Sequence, residues 1–285
     1  MNGLLGQVGF VVWRESVEAL LIIAILDAWL AHDEKVTHRL EHARRYLAGG
    51  VLAGLVLAGL LGGLFLVFGE ALADEGQEIF HTAMVFIAAG LILQMIFWMR
   101  KHARNLKREL ENTAQRSLDK AGLAGVFVLV MVAVAREGAE TVVFLYGILG
   151  GGGIEPWSAG LAAAAGLLCA LFSYALIRLG GRCLSWRGFF QATEVMLLFL
   201  VASLTMAGFD HLASMGIIPI PGGPLWDSTF LIDDNSTWGG LFAALTGYRA
   251  KPDALNLIVY AGYWVAILLA LRLNDAQTHK RLTPA

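Results

Sequence analysis

The chain has 285 residues, 57% of them hydrophobic and 15% charged, with a formal net charge of −2. A soluble globular domain carries roughly 45–50% apolar and about 25% charged residues. This composition therefore excludes an ordinary soluble fold, and no nucleic-acid partner is expected. The apolar residues fall in blocks of about twenty, the length at which a helix crosses a bilayer, and most blocks lack the polar face of a soluble helix.

Seven spans are predicted, at about 4–30, 46–68, 78–99, 121–147, 157–179, 189–209 and 255–273. The first apolar block is too long for a cleavable signal and is expected to stay in the mature protein. It carries Arg14, Glu15 and Glu18 near its centre, with Asp27 near its end. The following connection is basic, with Lys35, Arg39, Arg44 and Arg45. The second span has small residues every fourth position, Gly50, Gly54, Ala58 and Gly62, a ridge that lets helix backbones approach closely in lipid. Glu70, Asp74, Glu75 and Glu78 cluster before and at the start of the third span, where His81 follows Glu78 by three positions. Seven Lys and Arg residues lie between Arg100 and Lys120.

The fourth span contains Arg136, Glu137 and Glu140, and four glycines, 150–153, follow it. Its successor repeats the small-residue ridge with Ser158, Ala162, Gly166 and Ala170. Arg178, Arg182 and Arg187 separate the fifth and sixth spans, and Glu194 lies one turn inside the sixth. An irregular loop rich in Pro and Gly is expected before the last span, carrying Asp210, Asp227, Asp233, Asp234 and Asp253. Arg272, Lys280 and Arg281 end the chain. Cys169 and Cys183 lack metal-ligand spacing, and no disulfide is expected.

The basic connections all fall on one side, which holds every Lys and Arg except Arg249 and Lys251 opposite and the intramembrane Arg14 and Arg136. The positive-inside rule then places the N-terminus outside and the C-terminus in the cytoplasm, as an odd number of spans requires. The acidic residues on the outer side read either as solvation or as a negative mouth that concentrates cations. Arg14-Glu15-Ser16-Val17-Glu18 recurs as Arg136-Glu137-Gly138-Ala139-Glu140. The third and sixth spans align more weakly, Glu78-x-x-His81 against Gln191-x-x-Glu194. The chain is thus expected to be a single all-α polytopic membrane domain, 1–285. It comprises a 3+3 inverted repeat, about 1–99 and about 121–209, with a seventh span appended. Such symmetry places a substrate near the midplane between the repeats.

A charged residue at the centre of a membrane helix costs roughly 2.5–3.5 kcal/mol on insertion scales, and two helices here carry three each. Glu15 and Glu18 share one helix face, as do Glu137 and Glu140, and each Arg is four residues before the second Glu. Four carboxylates and two guanidiniums leave a net negative site that a cation would offset. Carboxylate oxygens suit Fe(III), Fe(II) or Mn(II) better than Cu(I). One Arg–Glu bridge per helix would serve merely to lock the helices together; the second Glu on each is surplus to that role.

Two Arg-Glu-x-x-Glu motifs, on the first and fourth of seven spans, resemble the oxidase-dependent iron transporter family, which includes the fungal high-affinity iron permease and bacterial iron permeases. Gln77-Glu78-Ile79-Phe80, Phe97-Trp98-Met99-Arg100-Lys101, Pro224-Leu225-Trp226-Asp227 and Gly247-Tyr248-Arg249 are also similar to bacterial members. The resemblance implies an iron permease of the bacterial inner membrane, not an enzyme, with iron as substrate and no permanently bound cofactor. Glu15, Glu18, Glu137 and Glu140 would bind iron in transit, with Arg14 and Arg136 in the same motifs. It also implies a periplasmic partner that binds or oxidises iron. Glu78, His81, Glu194, Asp74 and Glu75 are further candidates for the path. His81 stands where bacterial relatives tend to carry a second Glu. Two alternatives remain at this point: a permease for manganese or lead, and a membrane di-iron carboxylate enzyme, which would need two deep Glu-x-x-His pairs where this chain has one at a helix end.

Overall fold

The structure is a computed structural model that describes residues 2–32, 40–102, 106–150, 155–179, 186–219 and 222–282. Lys35, Arg39, Arg104, Arg182, Cys183 and the glycines at 151–153 lie outside the described residues. Nine helices are present among the described residues: α1 Asn2–His32, α2 Leu40–Ala71, α3 Asp74–His102, α4 Leu106–Ala121, α5 Leu123–Leu149, α6 Pro156–Leu179, α7 Trp186–Ser214, α8 Thr237–Thr246 and α9 Ala254–Leu282.

Five of these, α2, α3, α6, α7 and α9, are long and apolar enough to cross a membrane. Helices α1 and α5 have 31 and 27 residues, or ~46 and ~40 Å at 1.5 Å per residue. Each is interrupted by the three charges of its motif. The surface agrees with a lipid solvent. Leu52, Leu60 and Val67 of α2, Leu168 of α6 and Ile258 of α9 are each about two-thirds exposed, which water would penalise over so wide a face. The chain is a multi-pass membrane protein.

Two helices were not expected. The basic connection at 100–120 is not a plain loop, because Leu110, Ala114 and Leu118 repeat every four residues and give α4 one apolar edge. Ala114 is fully buried beside Leu26, Leu30, Val126 and Val130, so α4 lies across the ends of α1 and α5. Gly122, at φ +61°, turns the chain directly into α5. The long loop before α9 contains α8, started by Ser236, whose Oγ accepts from the Gly239 N–H at 3.0 Å, and ended by Gly247 at φ +76°. Gly3 and Gly6 on α1 leave room for Gly240 and Leu241, which seats α8 against the start of α1.

The small-residue ridges pack crosswise. Helix α2 packs most extensively on α5, and α6 on α1. A β-carbon added at Gly54 would lie 2.8 Å from the Met131 carbonyl oxygen, and one added at Gly166 would lie 3.1 Å from the Trp13 nitrogen. Contacts between α1 and α5, and between α3 and α7, complete the bundle.

Two apolar clusters bracket the motifs. The larger includes Val8 and Val11 of α1, Val85 and Ile92 of α3, Phe144 and Ile148 of α5, and Leu200 and Leu204 of α7. The smaller contains Leu26 and Leu30 of α1 with Val126, Val130 and Val134 of α5. Along α1 the order is larger cluster, motif, smaller cluster; along α5 it is the reverse.

Candidate functional site

The two motifs meet where α1 crosses α5. Arg14 is 1% exposed and its guanidinium is the hub. One terminal nitrogen donates to Glu15 Oε1 at 2.6 Å and to the Met95 sulfur at 2.7 Å. The other donates to Glu18 Oε1 and to the Met99 sulfur at 3.2 Å. The expected i,i+4 pairs are both present: Arg14 with Glu18, and Arg136 with Glu140 through Nε at 2.9 Å.

Carboxylate oxygens of Glu15, Glu18 and Glu137 all lie within 4.8 Å of one another. Three of the four expected glutamates therefore converge. Glu140 is absent from that trio and instead holds Arg136. The reason lies on α3: the Arg136 guanidinium stacks over the Trp98 ring, 5.3 Å from its centroid, an attractive cation–π geometry. Half of the Arg136 side chain is exposed, whereas Arg14 is enclosed. The doubled sequence motif thus gives an asymmetric site.

Electrostatically the site is incomplete. Glu15 Oε2, Glu140 Oε2 and Arg14 Nε are buried without a hydrogen-bond partner, each an atom whose desolvation is uncompensated. The trio faces a single enclosed guanidinium, so full ionisation of its carboxylates would leave two negative charges in excess. Buried like charges at this spacing are costly, and a cation between them removes the cost. The oxygen donors suit a hard or borderline ion, and the two neighbouring thioethers shift that preference towards the softer divalent state.

Two cavities flank the site. The smaller, about 240 Å³, is lined by Glu18 and Glu137 themselves, with Met95, Met99, Trp98 and Glu109 of α4. The larger, about 410 Å³, is lined by His81, His211, Gln7, Ser203, Asp234 and Arg249 among others. It does not touch the motif glutamates.

The remaining sequence candidates are scattered. Glu75 and Glu78 are exposed on the first turns of α3, which Asp74 opens. His81 is buried, 5% exposed, and meets His211. Glu194 is half-buried and bonded to Arg100 Nε at 2.5 Å, tying the start of α7 to the end of α3. Asp27 is held by Arg44 at 2.8 Å, and Asp210 by Arg249 at 2.6 Å. Sequence reasoning missed Met95, Met99 and Trp98. The available signal was their spacing, since residues 95 and 99 are one turn apart on the same face of α3.

A model of the iron permease FTR1 family matches residues 5–282. The chain belongs to that family. Family membership makes this chain a permease rather than an enzyme. Among curated proteins, it is 31% identical over 265 residues to the ferrous iron permease EfeU of Escherichia coli O157:H7, covering 91% of this chain and 92% of that one. The EfeU of Shigella sonnei gives the same figures. The EfeU of Yersinia pestis is 28% identical over 276 residues, covering 94% and 93%. No solved structure matches the chain.

Proposed function

We propose that this protein imports Fe(II) across the cytoplasmic membrane through the site where its two Arg-Glu-x-x-Glu motifs meet. The observation that carries the reading is the convergence of Glu15, Glu18 and Glu137 around the buried Arg14. Its relatives named as ferrous iron permeases and the Met95 and Met99 sulfurs beside the site favour the divalent ion. Arg14 stands in for the metal in the empty site and swings aside when the ion binds. Glu140 is the fourth ligand, recruited when Arg136 releases it.

The topology has seven spans, α1, α2, α3, α5, α6, α7 and α9, with the N-terminus outside. The crosswise packing of α2 on α5 and α6 on α1, and the reversed order of the apolar clusters along α1 and α5, support an inverted repeat. The basic side, with α4, is cytoplasmic. The larger cavity then faces the periplasm. Asp74, Glu75 and Glu78 at the outer end of α3 concentrate cations there, and a periplasmic protein delivers the iron. Glu194, on the cytoplasmic side, serves the path only where ions leave.

Uptake of radioactive Fe(II) by cells lacking their own iron importers tests this reading. Wild type should accumulate iron, and Glu18→Gln and Glu137→Gln at matched membrane levels should not. Equal uptake by wild type and both variants would overturn it.

A further inference from the structure

The larger cavity holds two imidazoles that the carboxylate site does not use. His81 enters from the second turn of α3 and His211 from the last turn of α7. Their ring centroids are 4.8 Å apart and the planes are nearly perpendicular, at 88°. His81 Nε2 lies 3.1 Å from the Gly147 carbonyl oxygen at the end of α5. A carbonyl only accepts, so Nε2 carries the proton, and in the neutral ring Nδ1 keeps its lone pair. A ring oriented by one N–H bond to a backbone carbonyl, with the other nitrogen free, is how histidine ligands are presented to metals. No described residue hydrogen-bonds the His211 ring nitrogens.

The surroundings are mild in charge. Asp234 is the one carboxylate among the lining residues, and its oxygens already accept from the Ala250 N–H at 3.1 Å and the Asn235 side-chain amide at 3.4 Å. Arg249 is neutralised by Asp210. Selection here rests on ligand softness rather than on charge. Neutral imidazoles suit a borderline divalent ion and hold a trivalent one poorly.

The geometry points to a second metal site, in which His81 and His211 together take an Fe(II) ion from solution before it reaches the motif glutamates. This inference rests on the import reading above. Gln7 lines the cavity and Glu15 lies eight residues further along α1, ~12 Å at helical rise, so the two sites are in series rather than one. At the corresponding place in the other repeat, the start of α7 against the end of α3, stands the Glu194–Arg100 ion pair, so the imidazole doublet occurs at one end of the molecule only.

The test is anaerobic Co(II) titration of the full-length protein in detergent, read by hyperfine-shifted exchangeable imidazole protons, beside Fe(II) uptake in cells. Wild type should show an imidazole-ligated class of Co(II) and a carboxylate-ligated class. His211→Asn, at a half-buried position, should abolish the imidazole class and keep the other; Glu137→Gln should do the reverse. Loss of a ligand should raise the uptake KM at least tenfold, the lower end of what losing an outer-shell partner costs, with the maximal rate little changed. Gly150→Ala supplies a second variant: its β-carbon would collide with the His81 ring and should weaken the imidazole class with both histidines present. Unchanged Co(II) signals and KM in both variants would mean the pair is only packing, and the inference falls. Imidazole-ligated Co(II) in a wild type that moves no iron would instead remove the import reading and leave the site standing.

Discussion

At the scale of single residues, Arg14 bears the heaviest demand. It is enclosed with three carboxylates and two sulfurs around it, so its removal leaves buried negative charge with no partner. Breaking a buried ion pair by deleting one member costs roughly 3–5 kcal/mol. Arg14→Gln should therefore unfold at lower temperature in micelles, and added Fe(II) should restore more stability to it than to wild type, because metal then supplies the missing charge. Arg14→Lys should recover only part of the loss, since an ammonium cannot reach both carboxylates as a guanidinium fork does. Glu137 and Glu140 should also separate. Glu137→Gln removes a member of the trio and should abolish tight metal binding. Glu140→Gln removes an oxygen now held by Arg136 and should weaken binding less, as isothermal titration with Mn(II) would show. The spacing made both glutamates equal candidates, because positions three apart share a face. What divides them is Trp98 on another helix, and no local pattern in the fourth span encodes that neighbour.

Among the elements, the small-residue ridges were legible and their partners were not. Gly54 and Gly166 announce close helix approach, but only the fold shows that the first seats against α5 and the second against α1, the two motif helices. Leucine at either position should cost roughly 1–3 kcal/mol or more through overpacking, measured by denaturation in bicelles, and should lower iron uptake by shifting a motif helix. Gly59 and Gly160 provide the contrast. Nothing lies within 4 Å of a β-carbon added there, so Gly59→Leu and Gly160→Leu should leave stability and uptake nearly unchanged. Helix α4 escaped sequence reading for a different reason. The seven Lys and Arg residues from Arg100 to Lys120 read as a basic loop, and the apolar edge of α4 is only Leu110, Ala114 and Leu118. A helix that short is set by tertiary contact, here with Val126, Val130 and Leu26, more than by its own propensity. Helix α8 is shorter still, ten residues, and its Ser236 and Gly247 caps were hidden in a loop called irregular for its prolines and glycines.

Across the whole molecule, three helices present the same sequence of environments, and a fourth shares its first two layers. On α1, Gln7 lines the larger cavity, Val8 and Val11 are buried in the apolar layer, and Arg14 and Glu15 follow. On α3 the order is His81, then Val85, Ala88 and Ile92, then Met95. On α5, Gly147 and Ile148 reach the cavity, Phe144 is 1% exposed below them, and Glu140 and Glu137 lie beyond. On α7, Ser203 lines the cavity and Leu200 is fully buried beneath it. The larger cavity is thus sealed from the glutamates by packed side chains, while the smaller cavity is lined by Glu18 and Glu137 directly. The arrangement is closed on one side and open on the other.

That asymmetry predicts gated transport, and labelling from the two sides of the membrane tests the orientation on which the prediction depends. In a cysteine-free background, Phe230→Cys on the exposed loop before α8 should react with a membrane-impermeant maleimide in intact cells. Asn112→Cys on the exposed edge of α4 should react only after permeabilisation. The reverse pattern would turn the sealed face towards the cytoplasm and overturn the orientation proposed above. With the sides as assigned, an ion cannot pass from the larger cavity to the glutamates without opening the layer of Val8, Val11, Phe144 and Leu200. Bilayer recordings of the purified protein should then show no sustained single-channel current in Fe(II) or Mn(II). Uptake into proteoliposomes should saturate and should quicken when an inside-negative potassium diffusion potential is imposed, because each positive charge gains roughly 2.3 kcal/mol per 100 mV. A steady conductance would mean that the apolar layer is not the barrier its packing implies.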